Sequence, residues 1–358
     1  MDIPTRGEVI RSYKAAGGSI AAVLPIHYSR ALLRAFNFLP VEVWGPPGVD
    51  PTQGSTHLQP YVCSVVRNAL AFLLAGGLDV ADILLVPHAC DSLQGLGSIL
   101  LDFIGPEQPA YTLYLPRVQE DLGRNYLAAE LRSLYQELEV LTQISPSKDE
   151  LIHCIQREEI ADGLLAQLHN QRRYLTLSDL DFYRIIRSRE YLPAEVFTEK
   201  VLAVLEQRNE GQSDGIPILL SGIVPEPMEL FTSISEFGGI VVEDDLACSG
   251  RRLYPSGSSG DPFLRIAERI LAGPPDWSKG SSIQDRLTHI LDLVQRTDAR
   301  GVVFYNVKFC EPEIFDQPNL RGGLQERGIQ SVIIEVDLND PLSNQALTRL
   351  EAFLEMVA

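Results

Sequence analysis

The sequence predicts an α/β protein with two parallel-sheet domains on either side of a helical middle segment. Three observations predict it. Short apolar runs alternate with amphipathic stretches at both ends of the chain. The middle keeps helical periodicity throughout, and a polar stretch at 209–215 (NEGQSDG) separates it from the second alternating block. The expected boundaries are 1–118, 119–212 and 213–358, within the range of two or three domains that 358 residues allow.

Residues 20–24 (IAAVL), bounded by Gly-Gly and Pro25, read as a buried strand, and 28–36 as the helix after it. Residues 41–44 (VEVW) read as a strand stopped by GPPG. Residues 61–74 read as a helix behind Pro60, and 83–86 (ILLV) as a further strand. From 119 to about 208 the text is helical, with Ser147 and Glu150 spaced as a capping box. Strands return at 216–222, 239–242, 301–305 and 332–336, with helices at 229–237, 282–296, 320–327 and 346–357. Residues 256–261 (SGSSGD) read as a flexible loop, and no repeat of solenoid period is found.

Composition narrows the function. Hydrophobic residues make up 45% and charged residues 22%, which is ordinary for a globular chain. Lys+Arg number 30 against Asp+Glu 48, a net charge of −18 that disfavours a phosphate backbone as partner. A phosphorylated small molecule could still sit in a local basic pocket. Neither a transmembrane run nor the apolar core of a signal peptide is found, so the expected location is cytoplasmic, with no membrane partner.

The five cysteines are odd in number and widely spaced, which argues against a disulfide framework. Cys90, Cys248 and Cys310 each lie just past the carboxyl end of a predicted strand, the edge where open α/β sheets bind ligands. Cys63 falls in the first turn of its predicted helix, where the helix dipole favours a thiolate. Cys154 sits mid-helix among Leu and Ile and reads as core. A free cysteine also packs well as a small hydrophobe, so position alone leaves the choice between Cys248 and Cys310 open. Close C-x-x-C spacing is lacking. Soft thiolates without a nearby His favour an iron–sulfur cluster over zinc.

Other features are weaker. His27 lies at the end of the first strand, and His88 precedes Cys90 by two residues. Asp244 and Asp245, beside Arg251 and Arg252, read as an internal ion-pair network. Dinucleotide, Walker and serine-triad patterns are not found.

Taken together, HLQPYVCSVVRNALAFLLAGGLDVADILLVPHACDS, ELFTSISEFGGIVVEDDLACSGRR and GVVFYNVKFCEPEIFDQPNLRGGLQERGIQSVIIEVD resemble, in that order, blocks of the 2-hydroxyacyl-CoA dehydratase / benzoyl-CoA reductase family. ISPSKDELIHCIQ and RLEAFLEM fit as well, so the resemblance runs along nearly the whole chain. It implies Rossmann-like domains and, in each subunit, one [4Fe-4S] cluster. Carried over by motif, the cluster ligands are Cys63, Cys90 and Cys310, with Cys248 outside the ligand blocks. Three ligands leave one iron open, as a Lewis-acid role requires.

The resemblance further implies a homologous second subunit, an acyl-CoA substrate and a separate ATP-dependent iron–sulfur activator. The activator's electron makes a ketyl radical of the thioester, from which water is eliminated. The reductase branch instead reduces an aromatic thioester, and a third reading is a non-catalytic electron-transfer or structural subunit. His27 is the acid/base or thioester-contact candidate. Phe36 and Asn37 stand where the family has an Ala-Gly step, a departure in the substrate region. The short chain resembles the smaller subunit type.

Overall fold

The computed structural model describes residues 3–118, 120–207 and 214–358. Gln119 and residues 209–213 of the polar linker, with the expected boundary at 212, lie outside the described residues.

The first block runs α1 (Arg6–Ala15), β1 (Ser19–Val23), α2 (Arg30–Ala35), β2 (Phe38–Glu42), α3 (Ser64–Leu74), β3 (Ile83–His88), α4 (Asp91–Ser98) and β4 (Ala110–Tyr114). Four helices follow: α5 (Asp121–Thr142), α6 (Lys148–Asn170), α7 (Asp179–Ser188) and α8 (Ala194–Leu205). The second block runs β5 (Ile216–Gly222), α9 (Glu229–Glu236), β6 (Gly239–Leu246), α10 (Pro262–Leu271), α11 (Ile283–Thr297), β7 (Gly301–Val307), α12 (Glu311–Gln325), β8 (Gln330–Val336) and α13 (Asn344–Val357).

Each block forms a four-stranded, wholly parallel sheet. The orders are β2-β1-β3-β4 and β6-β5-β7-β8, the same topology twice. Central strands of such sheets are covered on both faces, which is why β1, β3, β5 and β7 read as apolar runs. Two of the four edge strands are harder to read. β4 is half-exposed along most of its length and carries no such run. β2 begins at Phe38 rather than at the expected Val41, because Pro40 stands on an outer edge where its missing N–H costs no ladder bond.

The capping box of Ser147 and Glu150 opens α6. α10 has no counterpart in the sequence expectation, although Asp261 caps it by accepting from Leu264 N at 2.9 Å and Pro262 opens it. α12 starts nine residues before the expected 320, because Pro318 inside it breaks the apparent period. Among the described residues, no helix is long and apolar enough to cross a membrane.

The helical middle bridges the two sheets. α6 packs on α2 and α8, and α5 packs on α10. The sheet-bearing blocks also touch directly. Arg67 of α3 donates to Asp337 at 2.7 Å, Ser64 Oγ accepts from Leu338 N at 3.2 Å, and Asn68 and Asn339 bond reciprocally. The carboxyl edges of both sheets therefore face one crevice.

Candidate functional site

In each sheet the strand order reverses between the first and third strands, β1/β3 and β5/β7. Loops leaving these strands must part in opposite directions, and a crevice opens there. Cys90 follows β3 and Cys310 follows β7, one from each sheet. Cys63 reaches the same crevice from the start of α3, and all three border one pocket.

The three cysteines share a local device. Each is the N-cap residue of a helix: Cys63 of α3, Cys90 of α4 and Cys310 of α12. Cys63 thus stands one step outside the helix rather than in its first turn. Pro60 starts a separate turn, and Val62 N bonds back to Gln59 O. First-turn amides lie near the sulfurs, Val65 and Val66 by Cys63, Ser92 and Leu93 by Cys90 and Glu313 by Cys310, without closing a capping bond to them. Such donors stabilise sulfur-borne negative charge. Without a cation, burial wins. It raises the Cys63 thiol, pushes Cys90 up to about 12 and lifts Cys310 well above the usual thiol range. The neighbouring pocket cysteines add to the rise at Cys90 and Cys310.

The pocket wall is mainly apolar, with Pro25, Ile26, Trp44 and Trp277 among its residues. Its polar side is held rigid. Arg251 donates to Asp245 at 3.0 and 3.1 Å and to Glu313 at 2.6 and 3.1 Å. Arg286 bonds Asp245, Glu313 and Asp316 at 3.2, 3.2 and 2.9 Å. Burial would raise the Glu313 carboxyl, but Arg251 and Arg286 hold it below the usual range. This is the internal ion-pair network expected of Asp245 and Arg251, carried further than the sequence foretold. Arg252 pairs instead with Glu42, at 2.7 Å from each of two nitrogens. Asp244 accepts from Tyr183, Ser249 and backbone amides.

His27 is fully buried in the left-handed backbone region, at φ +57°. Its Nδ1 lies 2.6 Å from the Tyr254 hydroxyl and its Nε2 3.5 Å from Asp276. Burial pushes its pKa down to about 4, so the ring is neutral at pH 7. Asp276 borders the cysteine pocket, whereas the His27 ring stands behind it. His88 packs edge-on against Tyr114, at 4.3 Å between centroids. Cys248 borders a different cavity, and Cys154 is buried on α6 beside Arg157.

Donor chemistry separates two candidate metal sites. His169, Glu243 and Asp244 are buried with ligand atoms all within 4.8 Å of one another. They already satisfy each other: His169 Nδ1 lies 2.6 Å from Glu243, and Nε2 lies 3.1 Å from Ser249. That cluster is closed by its own hydrogen bonds. The three pocket sulfurs are not so close a group. One tetrahedral ion with metal–sulfur bonds near 2.3 Å would draw them to roughly 4 Å apart. Converging thiols with amide donors in an apolar chamber fit a polynuclear iron–sulfur group instead.

What sequence reasoning missed was the shared N-cap position. The signal was present: Asp91 follows Cys90, and Glu311-Pro312 follows Cys310, both helix-opening residues.

Comparison with known proteins supplies the family. The chain is 24% identical to the lactoyl-CoA dehydratase subunit beta of Anaerotignum propionicum, over 96% of this chain and 94% of the relative. It is 23% identical to the (R)-phenyllactyl-CoA dehydratase beta subunit of Clostridium sporogenes, over 97% and 94%. A benzoyl-CoA reductase subunit of Thauera aromatica is 24% identical over 94% and 92%. Residues 25–357 match the family model described as 2-hydroxyglutaryl-CoA dehydratase, D-component, and the chain belongs to that family.

Proposed function

We propose that this chain is the [4Fe-4S]-bearing subunit of a 2-hydroxyacyl-CoA dehydratase, which removes water from a 2-hydroxyacyl-CoA thioester after ATP-driven one-electron activation. The observation that carries the reading is the convergence of Cys63, Cys90 and Cys310 on one pocket between the two sheets. The names of the relatives, beta subunits among them, support a complex with a homologous partner subunit. A separate iron–sulfur activator, a cytoplasmic location and the three-part division at 118/119 and 212/213 go with the proposal.

In it the cluster supplies a one-electron store and an iron with an open position. The chain's own residues do the rest. Cys63, Cys90 and Cys310 lose their protons on binding, and the first-turn amides of α3, α4 and α12 offset the resulting charge. Arg251, paired with Asp245 and Glu313, holds the polar border of the pocket rigid. Pro25, Ile26 and Trp44 keep water out. We assign His27 as a positioning residue that holds Asp276 and Tyr254.

The test is iron and acid-labile sulfide per chain after anaerobic purification. About four iron should be found. They should be lost in Cys63→Ala, Cys90→Ala and Cys310→Ala and kept in Cys248→Ala. Iron-free wild type after reconstitution would refute the proposal. The likeness to a benzoyl-CoA reductase favours one second reading, reduction of an aryl-CoA. Turnover of an aryl-CoA without loss of water would select it. A cluster without acyl-CoA binding by the isolated chain would mark an electron-transfer subunit.

A further inference from the structure

A second, narrow cavity lies among α2, α6, α10 and the end of α7. It contains none of the three pocket cysteines. Four guanidinium groups border it, those of Arg30, Arg189, Arg252 and Arg269, each more than nine-tenths buried.

Their partners are too few. Glu42 serves both Arg30 and Arg252. Glu158 serves Arg189, and Asp162 is shared by Arg189 at 2.9 Å and Arg269 at 2.7 Å. Four positive charges therefore face three negative ones. On one side the neighbouring charges close among themselves. Arg6 and Arg187 pair with Glu190 and Glu226. Glu159 approaches Arg269 at 3.6 Å, but both its oxygens are bonded to Arg265, which cancels its charge. The surplus shows in the hydrogen bonding as well. Arg189 Nε and Nη1 are buried with no acceptor. A buried donor without a partner is costly, and a buried unpaired charge more so. Leu165, Ile186 and Ile266 give the same cavity an apolar wall.

We propose that this chamber binds a short-chain aliphatic carboxylate. One negative charge matches the surplus. A carboxylate accepts two parallel bonds from the fork of a guanidinium such as Arg189. A short hydrocarbon tail suits the Leu/Ile wall, which an inorganic anion would leave unused. The proposal stands apart from the function given above, since neither iron nor coenzyme A takes part.

The experiment is thermal unfolding of the full chain in sodium formate, acetate, propionate or butyrate, against sodium chloride at equal ionic strength. Wild type should show a saturable rise in Tm of about 2–4 °C with butyrate and none with chloride. Arg189→Lys keeps the charge and loses the fork, and should need at least about tenfold more butyrate. Ile266→Phe fills the apolar end and should abolish the butyrate response while keeping that of formate. An equal response to chloride, no carboxylate response in wild type, or an unaltered butyrate response in Ile266→Phe would each overturn the proposal, whatever the folding of Arg189→Lys.

Discussion

Replacing Glu42 with glutamine should cost about 3–5 kcal/mol of stability, the range for breaking a buried charge pair from one side. Glu42 is fully buried at the end of β2. It accepts from Arg252 twice at 2.7 Å, from Tyr28 and Trp44 at 2.8 Å each, and from Arg30. Summing these bonds at roughly 1.5–3 kcal/mol each would overshoot, because they share one carboxylate. Glutamine keeps the shape and one acceptor oxygen but removes the charge. Arg30 and Arg252 are then left buried with no counter-ion, which sets the magnitude.

Guanidinium unfolding followed by tryptophan fluorescence is the assay. Both tryptophans, Trp44 and Trp277, border the cysteine pocket, and Trp44 is itself bonded to Glu42. Glu195→Gln, which breaks the half-exposed pair to Arg34, is the control and should cost about 0–1 kcal/mol. The pH dependence adds a second check. Burial raises the Glu42 carboxyl, but Arg252 and Arg30 more than offset this and hold it well below the usual range. Its contribution is thus full above the unfolded pKa, about 4.3, and is lost as pH falls through the lower folded value. The gap between wild type and Glu42→Gln should narrow below about pH 4. A cost under about 1 kcal/mol at pH 7, or a gap that widens in acid, would refute the reasoning.

Two other perturbations follow from the same structure. Burial lowers the His169 pKa, but Glu243 and Asp244 outweigh it and raise the value above the ordinary histidine range. Stability from this histidine is therefore full below about pH 6.5 and declines as pH rises through the folded value. His169→Gln should be most damaging near pH 6 and closer to wild type near pH 9, as read by urea midpoints across pH. A methyl group on Gly250 would lie 2.0 Å from the Asp244 carbonyl oxygen, backbone that cannot step aside. Gly250→Ala should lower stability by about 1–3 kcal/mol, measured by thermal unfolding.

Periodicity and local chemistry were sufficient for much of the fold. The central strands are apolar on both faces, so the sequence declares them without reference to neighbours. The capping box at Ser147 is likewise a matter of four consecutive residues. β2 was displaced and β4 missed: Pro40 interrupts the first as a strand signal, and half-exposed β4 carries no apolar run. Cys63, Cys90 and Cys310 could be set at ligand-bearing edges from sequence, and family resemblance preferred Cys310 to Cys248.

That these three residues border one pocket was decided by tertiary structure alone. Cys248 and Cys310 both follow strands of the second sheet and are locally equivalent. β6 is an edge strand, whereas β7 adjoins the point where strand order reverses, so only the second loop opens into the crevice with Cys90 and Cys63. The four-arginine chamber is equally invisible in one dimension. Its charges come from positions 30, 189, 252 and 269, and a surplus of one charge has meaning only where folding has excluded water from all four together.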